Sequence, residues 1–165
     1  MRRMLEIKDL WVSMGGKNIL KGVDLSMGKK ETHVLMGPNA SGNTTLVFSI
    51  LGYPSYQVRK GGILFNGKYL CGKPASERSK SGIAAAYQDP PEIRGVRLKD
   101  LIRLIGGKGR WNPLVEPEEK FATQVLEGVH LSPNSFLTRD LNLGFSGEER
   151  KRSELAQVFA IGKRR

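Results

Sequence analysis

One stretch constrains the fold of this chain more than any other. Gly37-Pro38-Asn39-Ala40-Ser41-Gly42-Asn43-Thr44-Thr45 follows a short apolar run and precedes a helical pattern. The run before it, Thr32-His33-Val34-Leu35-Met36, stops at Gly37 as a buried parallel strand would. After it, Leu46, Ile50 and Leu51 recur at helical spacing. The expected unit is strand, loop, helix. Such a loop wraps backbone N–H groups around a phosphate, and the dipole of the following helix favours negative charge. The pattern G-x-x-x-x-G-K-[ST] is met at Gly37, Gly42 and Thr44, but Asn43 stands in the lysine position. A glycine-rich turn without a ligand is the alternative; the spacing and the flanking elements favour the phosphate loop. Asn43 is too short to reach the outer phosphates and carries no charge. A charged hydrogen bond contributes about 1.5–3 kcal/mol, so its loss removes about one to two decades of affinity. The backbone cradle remains, and so does the Thr44 hydroxyl, a candidate Mg²⁺ ligand.

The rest of the chain alternates strand and helix signals. Residues 4–12 alternate loosely through Leu5, Ile7, Leu10 and Val12 and end at Gly15-Gly16. Residues 19–25 form a second strand, followed by a turn at Gly28-Lys29-Lys30. Residues 61–70 predict a hairpin about Asn66-Gly67, residues 75–81 a short polar helix, and residues 83–87 another apolar strand. Helices are predicted over 98–105 and 118–129, the second with Pro117 at its first turn, and residues 106–113 between them read as loop. No internal repeat is present. The class is α/β or α+β, and the 165 residues fit one domain, 1–165.

Composition narrows the function. No apolar run approaches the roughly 20 residues that span a bilayer, so membrane insertion is not expected. The N-terminus has no apolar segment of the secretory kind. A single cysteine, Cys71, excludes an internal disulfide, and with two histidines a structural zinc site is not expected. The expected address is the cytoplasm. With 27 Lys+Arg against 16 Asp+Glu, the net charge of +11 favours an anionic partner. Basic clusters at Arg59-Lys60, Lys108-Gly109-Arg110-Trp111, Arg150-Lys151-Arg152 and Lys163-Arg164-Arg165 read as solvated faces, and nucleic-acid binding is the lesser reading.

A second motif is Gly144-Phe145-Ser146-Gly147-Glu148-Glu149-Arg150-Lys151-Arg152. Its Ser146-x-x-Glu149 spacing predicts a capping box at a helix start, and Leu155, Val158 and Phe159 would share the apolar face of that helix. Taken by itself this is a capped surface helix. Together with Gly37-Pro38-Asn39-x-Ser41-Gly42, however, it resembles the ATPase subunits of ABC-type systems, whose signature is Ser-Gly-Gly-Gln/Glu. Three further pieces are similar to the ATPase of Suf-type iron–sulfur cluster assembly. They are Gly52-Tyr53-Pro54-x-Tyr56-x-Val58, Gly62-x-Leu64-Phe65-x-Gly67 and Tyr87-Gln88-Asp89-Pro90-Pro91-Glu92-Ile93-Arg94-Gly95-Val96. The resemblance runs from about Leu5 to Phe159.

That resemblance implies an α/β fold of the P-loop NTPase, ABC ATPase type. It implies ATP held by Gly37, Pro38, Asn39, Ala40, Ser41, Gly42, Asn43, Thr44, Thr45 and Gln88, with Mg²⁺ at Thr44 and Gln88. Ser146, Gly147, Glu148 and Glu149 would face nucleotide held by the opposite subunit of a head-to-tail homodimer, and Suf-type scaffold subunits are the implied partners. Four departures are visible. Asn43 replaces the lysine. Ala40 replaces a glycine, which costs about 1 kcal/mol or more if that position needs φ > 0. Glu148 replaces a signature glycine and brings a carboxylate where phosphate should sit. The sequence stops at Arg165, whereas in the family the Walker B strand, its catalytic glutamate and the switch histidine lie beyond this point; His33 and His130 stand elsewhere. The expectation is an ABC-type domain incomplete at its C-terminal end, weak binding of ATP and Mg²⁺, and no measurable hydrolysis. The alternatives are an ATP-binding subunit of an ABC membrane transporter, a non-enzymatic basic nucleic-acid binder, and a gene remnant.

Overall fold

The structure is a computed structural model that describes residues 3–87, 90–109, 112–114, 116 and 119–163. It divides into two compact units, Met1–Ile83 and Ala84–Arg165.

The first unit is built on an antiparallel sheet. β1 (Arg3–Met14) and β2 (Lys17–Gly28) form a hairpin whose two turn residues, Gly15 and Gly16, have φ of 57° and 81°. Two consecutive positive φ values give the primed turn that matches strand twist. β3 (Gln57–Phe65) pairs with the other edge of β1, and β4 (Lys68–Tyr69) returns through Asn66-Gly67, giving the order β2-β1-β3-β4. In β1 the buried positions change phase, from Leu5 and Ile7 to Leu10 and Val12. The register shifts across this point against both neighbours, and Asp9 there has φ 42°. A bulge is what allows both pairs to face one core, because a single inserted residue flips the alternation. That core comprises Leu5, Ile7, Leu10, Val12, Leu20, Ile63 and Leu70, with Leu46 from helix α1 (Asn43–Leu51) packed against them. A short helix, α2 (Ala75–Lys80), completes the unit.

The second unit is mainly helical. β5 (Ile93–Arg97) pairs antiparallel with β6 (Asp140–Leu141). Helices α3 (Leu98–Ile105), α4 (Lys120–Glu127) and α6 (Gly147–Gly162), with the single turn α5 (Pro133–Phe136), enclose Leu98, Ile102, Val125, Leu126, Ala156 and Ala160. Glu119 caps α4 by accepting from the Ala122 and Thr123 amides, and its carboxylate also takes Arg103 Nη1 at 2.7 Å. Both side chains are buried, so each neutralises a charge that would otherwise be costly there.

Three expectations are corrected. Residues 32–36 form no strand; they are exposed, with Val34 77% and Met36 84% accessible. Residues 83–87 likewise form no strand. A buried parallel strand draws its stability from neighbouring strands and covering helices, and among the described residues no strand pairs with either run; every pairing is antiparallel. The third correction concerns α6. It buries Ser153, Glu154, Ala156 and Ala160, while Leu155 and Phe159 are 46% and 52% exposed. Small side chains occupy the contact face because they let the helix lie close against its neighbours.

Candidate functional site

The loop of residues 37–45 folds as a cradle. The Ser41 amide donates to the Pro38 carbonyl at 3.1 Å, closing a turn whose third residue is Ala40. Ala40 has φ 66°, so the strain anticipated for a non-glycine residue is present. Gly42 follows at φ 100° as the N-cap of α1, and a Cβ on it would meet Leu20 Cδ2 at 2.7 Å. Gly37 is closed in similarly, with the Ser41 and Asn43 side chains folded over it. An added Cβ at either glycine would have to displace a neighbouring side chain, and at the second it would also meet a disfavoured backbone angle.

The start of α1 is bare. No side chain caps it and no acidic residue lies in its first turn; the first bond of the helix runs from Leu46 N–H to Gly42 carbonyl at 2.9 Å. The amides ahead of Leu46 therefore have no intrahelical acceptor. They open on a cavity of about 320 Å³ lined by residues 37–45 together with Met14 and Ile19. No charged residue is among these, so Asn43 is not compensated by a neighbouring cation. Met14 and Ile19 give the cavity an apolar wall. Trp11 lies elsewhere on β1, its Nε1 donating to Asp9 Oδ1 at 2.8 Å with the Lys60 ammonium over its ring. His33 leaves the expected strand with the rest of residues 32–36. Its Nε2 lies 3.0 Å from Glu31 Oε2, and the Gly28 amide followed by His33 holds the Glu31 carboxyl below the usual carboxylate range.

Because the φ of Ala40 is set by the turn, Ala40→Gly should relieve it. The expected result is stabilisation of about 1 kcal/mol, read as a higher urea midpoint at unchanged slope. A midpoint equal to or below that of the parent would show that the turn is not strained.

The signature residues belong to the second unit. The capping box is formed: Glu149 N–H donates to Ser146 Oγ at 3.3 Å and Ser146 N–H to Glu149 Oε2 at 2.8 Å. The approach to the helix is fixed by Arg139, which stacks over Phe136 and Phe145 and donates to the Leu143 and Gly144 carbonyls. Phe136 and Phe145 meet edge-on at 4.9 Å. The Glu148 carboxylate turns along the helix and pairs with Arg152, four residues on. Arg152 also donates to the His130 carbonyl. Arg150 pairs with Glu92 and donates to the Phe145 carbonyl, tying the segment after Pro91 to the signature turn. Gln88, expected on Mg²⁺, lies outside the described residues, as do Arg110, Trp111, Pro117, Arg164 and Arg165. Among the described residues no cluster of histidine, cysteine or acidic groups could hold a metal by itself, and no helix is long and apolar enough to cross a membrane.

Residues 20–164 match the family described as ABC transporter. The chain belongs to the ABC transporter family. It is 44% identical over 163 residues to "Probable ATP-dependent transporter ycf16" of Pyropia yezoensis, covering 96% of this chain and 64% of that protein. It is 34% identical over 158 residues to an uncharacterized ABC transporter ATP-binding protein of Methanocaldococcus jannaschii, covering 96% and 63%. The chain thus spans somewhat less than two thirds of the length of these relatives. Its fold matches a solved ATP-binding cassette of an ABC transporter with a TM-score of 0.78 at 23% identity, over 98% of this chain and 66% of that one. The ADP conformation of a cassette matches at 0.77 and 24%, with the same coverage. The α/β fold of the P-loop NTPase, ABC ATPase type, is therefore established. Within this ABC family member, the sequence missed Arg139, the residue that orders the approach to the signature helix; its neighbours Phe136 and Phe145 were the available signal.

Proposed function

We propose that this chain is an ATP-binding part of an ABC-type system, and of the Suf iron–sulfur cluster assembly class. The observation that carries the nucleotide reading is the bare start of α1, with a ring of backbone donors opening on the loop cavity. In this reading the amides of residues 39, 40 and 42–45 hold the phosphates, and the Thr44 hydroxyl, at the second position of α1, together with Gln88 holds Mg²⁺. Bound Mg²⁺ would neutralise charge on the outer phosphates. Binding of both is weak, because no cation lines the cavity in place of the lysine. Ser146, Gly147, Glu148 and Glu149 present the capped start of α6 to nucleotide on the opposite subunit of a head-to-tail homodimer. The two units act as parts of one nucleotide-binding domain in the cytoplasm.

Titration calorimetry of the 165-residue protein with Mg-ATP, ADP and adenosine tests this. ATP and ADP should bind and adenosine should not, since the contacts are to phosphate. Adenosine binding as well as ATP would remove the loop from the argument. The same protein should release no phosphate above a heat-inactivated blank, because no carboxylate lines the loop cavity to orient water.

A second reading, the ATP-binding subunit of an ABC membrane transporter, is favoured by the names of the relatives. Against it stand the segments 52–58, 62–67 and 87–96, which resemble the Suf ATPase. Co-purification of a membrane-spanning protein, with no scaffold subunit, would decide for the transporter.

A further inference from the structure

A second cavity, of about 490 Å³, lies in the first unit between the C-terminal end of α1, the start of β3 and the turn before α2. Its volume is in the range of small-molecule sites. Arg59, Lys60, Lys73 and Arg78 line it, and no aspartate or glutamate does. Two of these cations are already engaged. Lys60 pairs with Asp9 at 2.8 Å, and Arg59 Nε donates to Ser13 Oγ at 2.7 Å.

Arg78 is different. It is only 4% exposed, yet among the described residues it has no carboxylate partner. Its Nε donates to the Lys73 carbonyl at 2.9 Å, and its Nη1 to the carbonyls of Ser49 and Ile50 at 2.7 and 3.0 Å. Three carbonyls hold the guanidinium plane in place without cancelling its charge, and burial pulls its pKa below the usual arginine range. Its Nη2 and the Lys73 ammonium have no hydrogen-bond or ion-pair partner among the described residues. Arg78 Nη2 is not shut away from solvent, so an anion entering the cavity can reach it. Fixed in orientation, it is also suited to an oxyanion.

Beside the cations stands an aromatic wall. Tyr53, Tyr56 and Tyr69 line the same cavity. Tyr56 stacks on Phe48 at 5.4 Å, Tyr53 tilts against Phe48 at 4.7 Å, and the Tyr69 hydroxyl is anchored on the Gly61 carbonyl. These rings are held by their neighbours and so can accept a flat ligand without being ordered first.

We propose that this cavity is a second binding site, separate from the loop, for a small ligand that carries a phosphate on a planar aromatic ring. Arg78 Nη2 and Lys73 take the phosphate, and the tyrosine wall takes the ring. The proposal does not rest on nucleotide binding at residues 37–45.

The test is an amide NMR titration of the 165-residue protein with phenyl phosphate, inorganic phosphate and phenol, each with and without saturating ADP. Phenyl phosphate should bind more tightly than either fragment by about tenfold, should shift residues 53, 56, 69 and 73, and should persist with ADP present. Lys73→Gln, on an exposed side chain, should weaken it by about threefold to tenfold while leaving the spectrum of the free protein intact. Arg78→Gln should abolish it, although loss of the α1 contacts can also unfold that variant; Lys73→Gln keeps the test sound. Shifts confined to residues 37–45, displacement by ADP, equal affinity in Lys73→Gln, or an absence of binding would each overturn the proposal. So would an acidic peptide that shifts residues 53–73 when phenyl phosphate does not.

Discussion

Asn43→Lys should strengthen ATP binding by about one to two decades while leaving adenosine unaffected. Asn43 is the first residue of α1 and lines the loop cavity, whose other walls carry no charge. A lysine grown from the same Cα has the reach to place an ammonium on the outer phosphates. The charge is introduced where the parent supplies only backbone dipoles, so the gain should be largest for ATP, smaller for ADP and absent without phosphate. A cation at a helix start opposes the helix dipole by about 0.3–1 kcal/mol; the free variant should therefore be slightly less stable, and ATP should more than restore it. Calorimetry at fixed ionic strength gives the affinities and thermal melts the stabilities. Equal ATP affinity in parent and variant would show that residue 43 does not face bound phosphate.

The largest loss of stability should follow Gly61→Ala. Gly61 has φ 81°, and an added Cβ would lie 2.1 Å from the Asp9 carbonyl oxygen and 2.3 Å from that of Lys8. Those atoms belong to the backbone of the central strand at its bulge, so no side-chain rotation can make room. The strands must part or the bulge must be lost, and losing it would turn Leu10 and Val12 away from the core. Overpacking and a disfavoured φ together cost about 2–5 kcal/mol, against a total of about 5–15 kcal/mol for a typical domain. Gly67→Ala is the control: φ is 77° there, but nothing lies within 4 Å of the added atom. It should cost only about 1–2 kcal/mol. Denaturant titrations followed by circular dichroism compare the two. Similar midpoints for both variants would mean that the sheet tolerates the collision.

What the sequence revealed was local. Gly15-Gly16 and Asn66-Gly67 declared their turns because both positions need positive φ. Ser146 and Glu149 declared a helix start because the two groups satisfy each other across one turn. Helix α3 was legible from its apolar spacing alone. The failures depended on distant residues. Val34, Leu35 and Met36 have strand composition, but composition supplies no partner. In α6 the largest apolar residues, Leu155 and Phe159, suggested the buried face, whereas close approach selected Ala156 and Ala160. The β1 bulge left a trace in the phase change between Ile7 and Leu10, and this was read only as loose alternation. At the loop, the strain on Ala40 was legible because a missing glycine implies a left-handed residue. The pairing of Glu148 with Arg152 was also within reach, being an ordinary four-residue spacing on a helix. The tyrosine and arginine cavity was not, since its walls come from segments scattered between Ser49 and Arg78.

The uncapped start of α1 has a consequence for exchange kinetics. A helix whose first amides lack acceptors frays from that end, and its opening free energy is set by whatever comes to rest on them. Deuterium uptake at residues 43–45 should therefore be fast in the free protein and slow once phosphate is bound, while Leu46, already bonded to Gly42, should change less. Ligand affinity and the protection of one helical turn become two readings of the same equilibrium, linked by mass action.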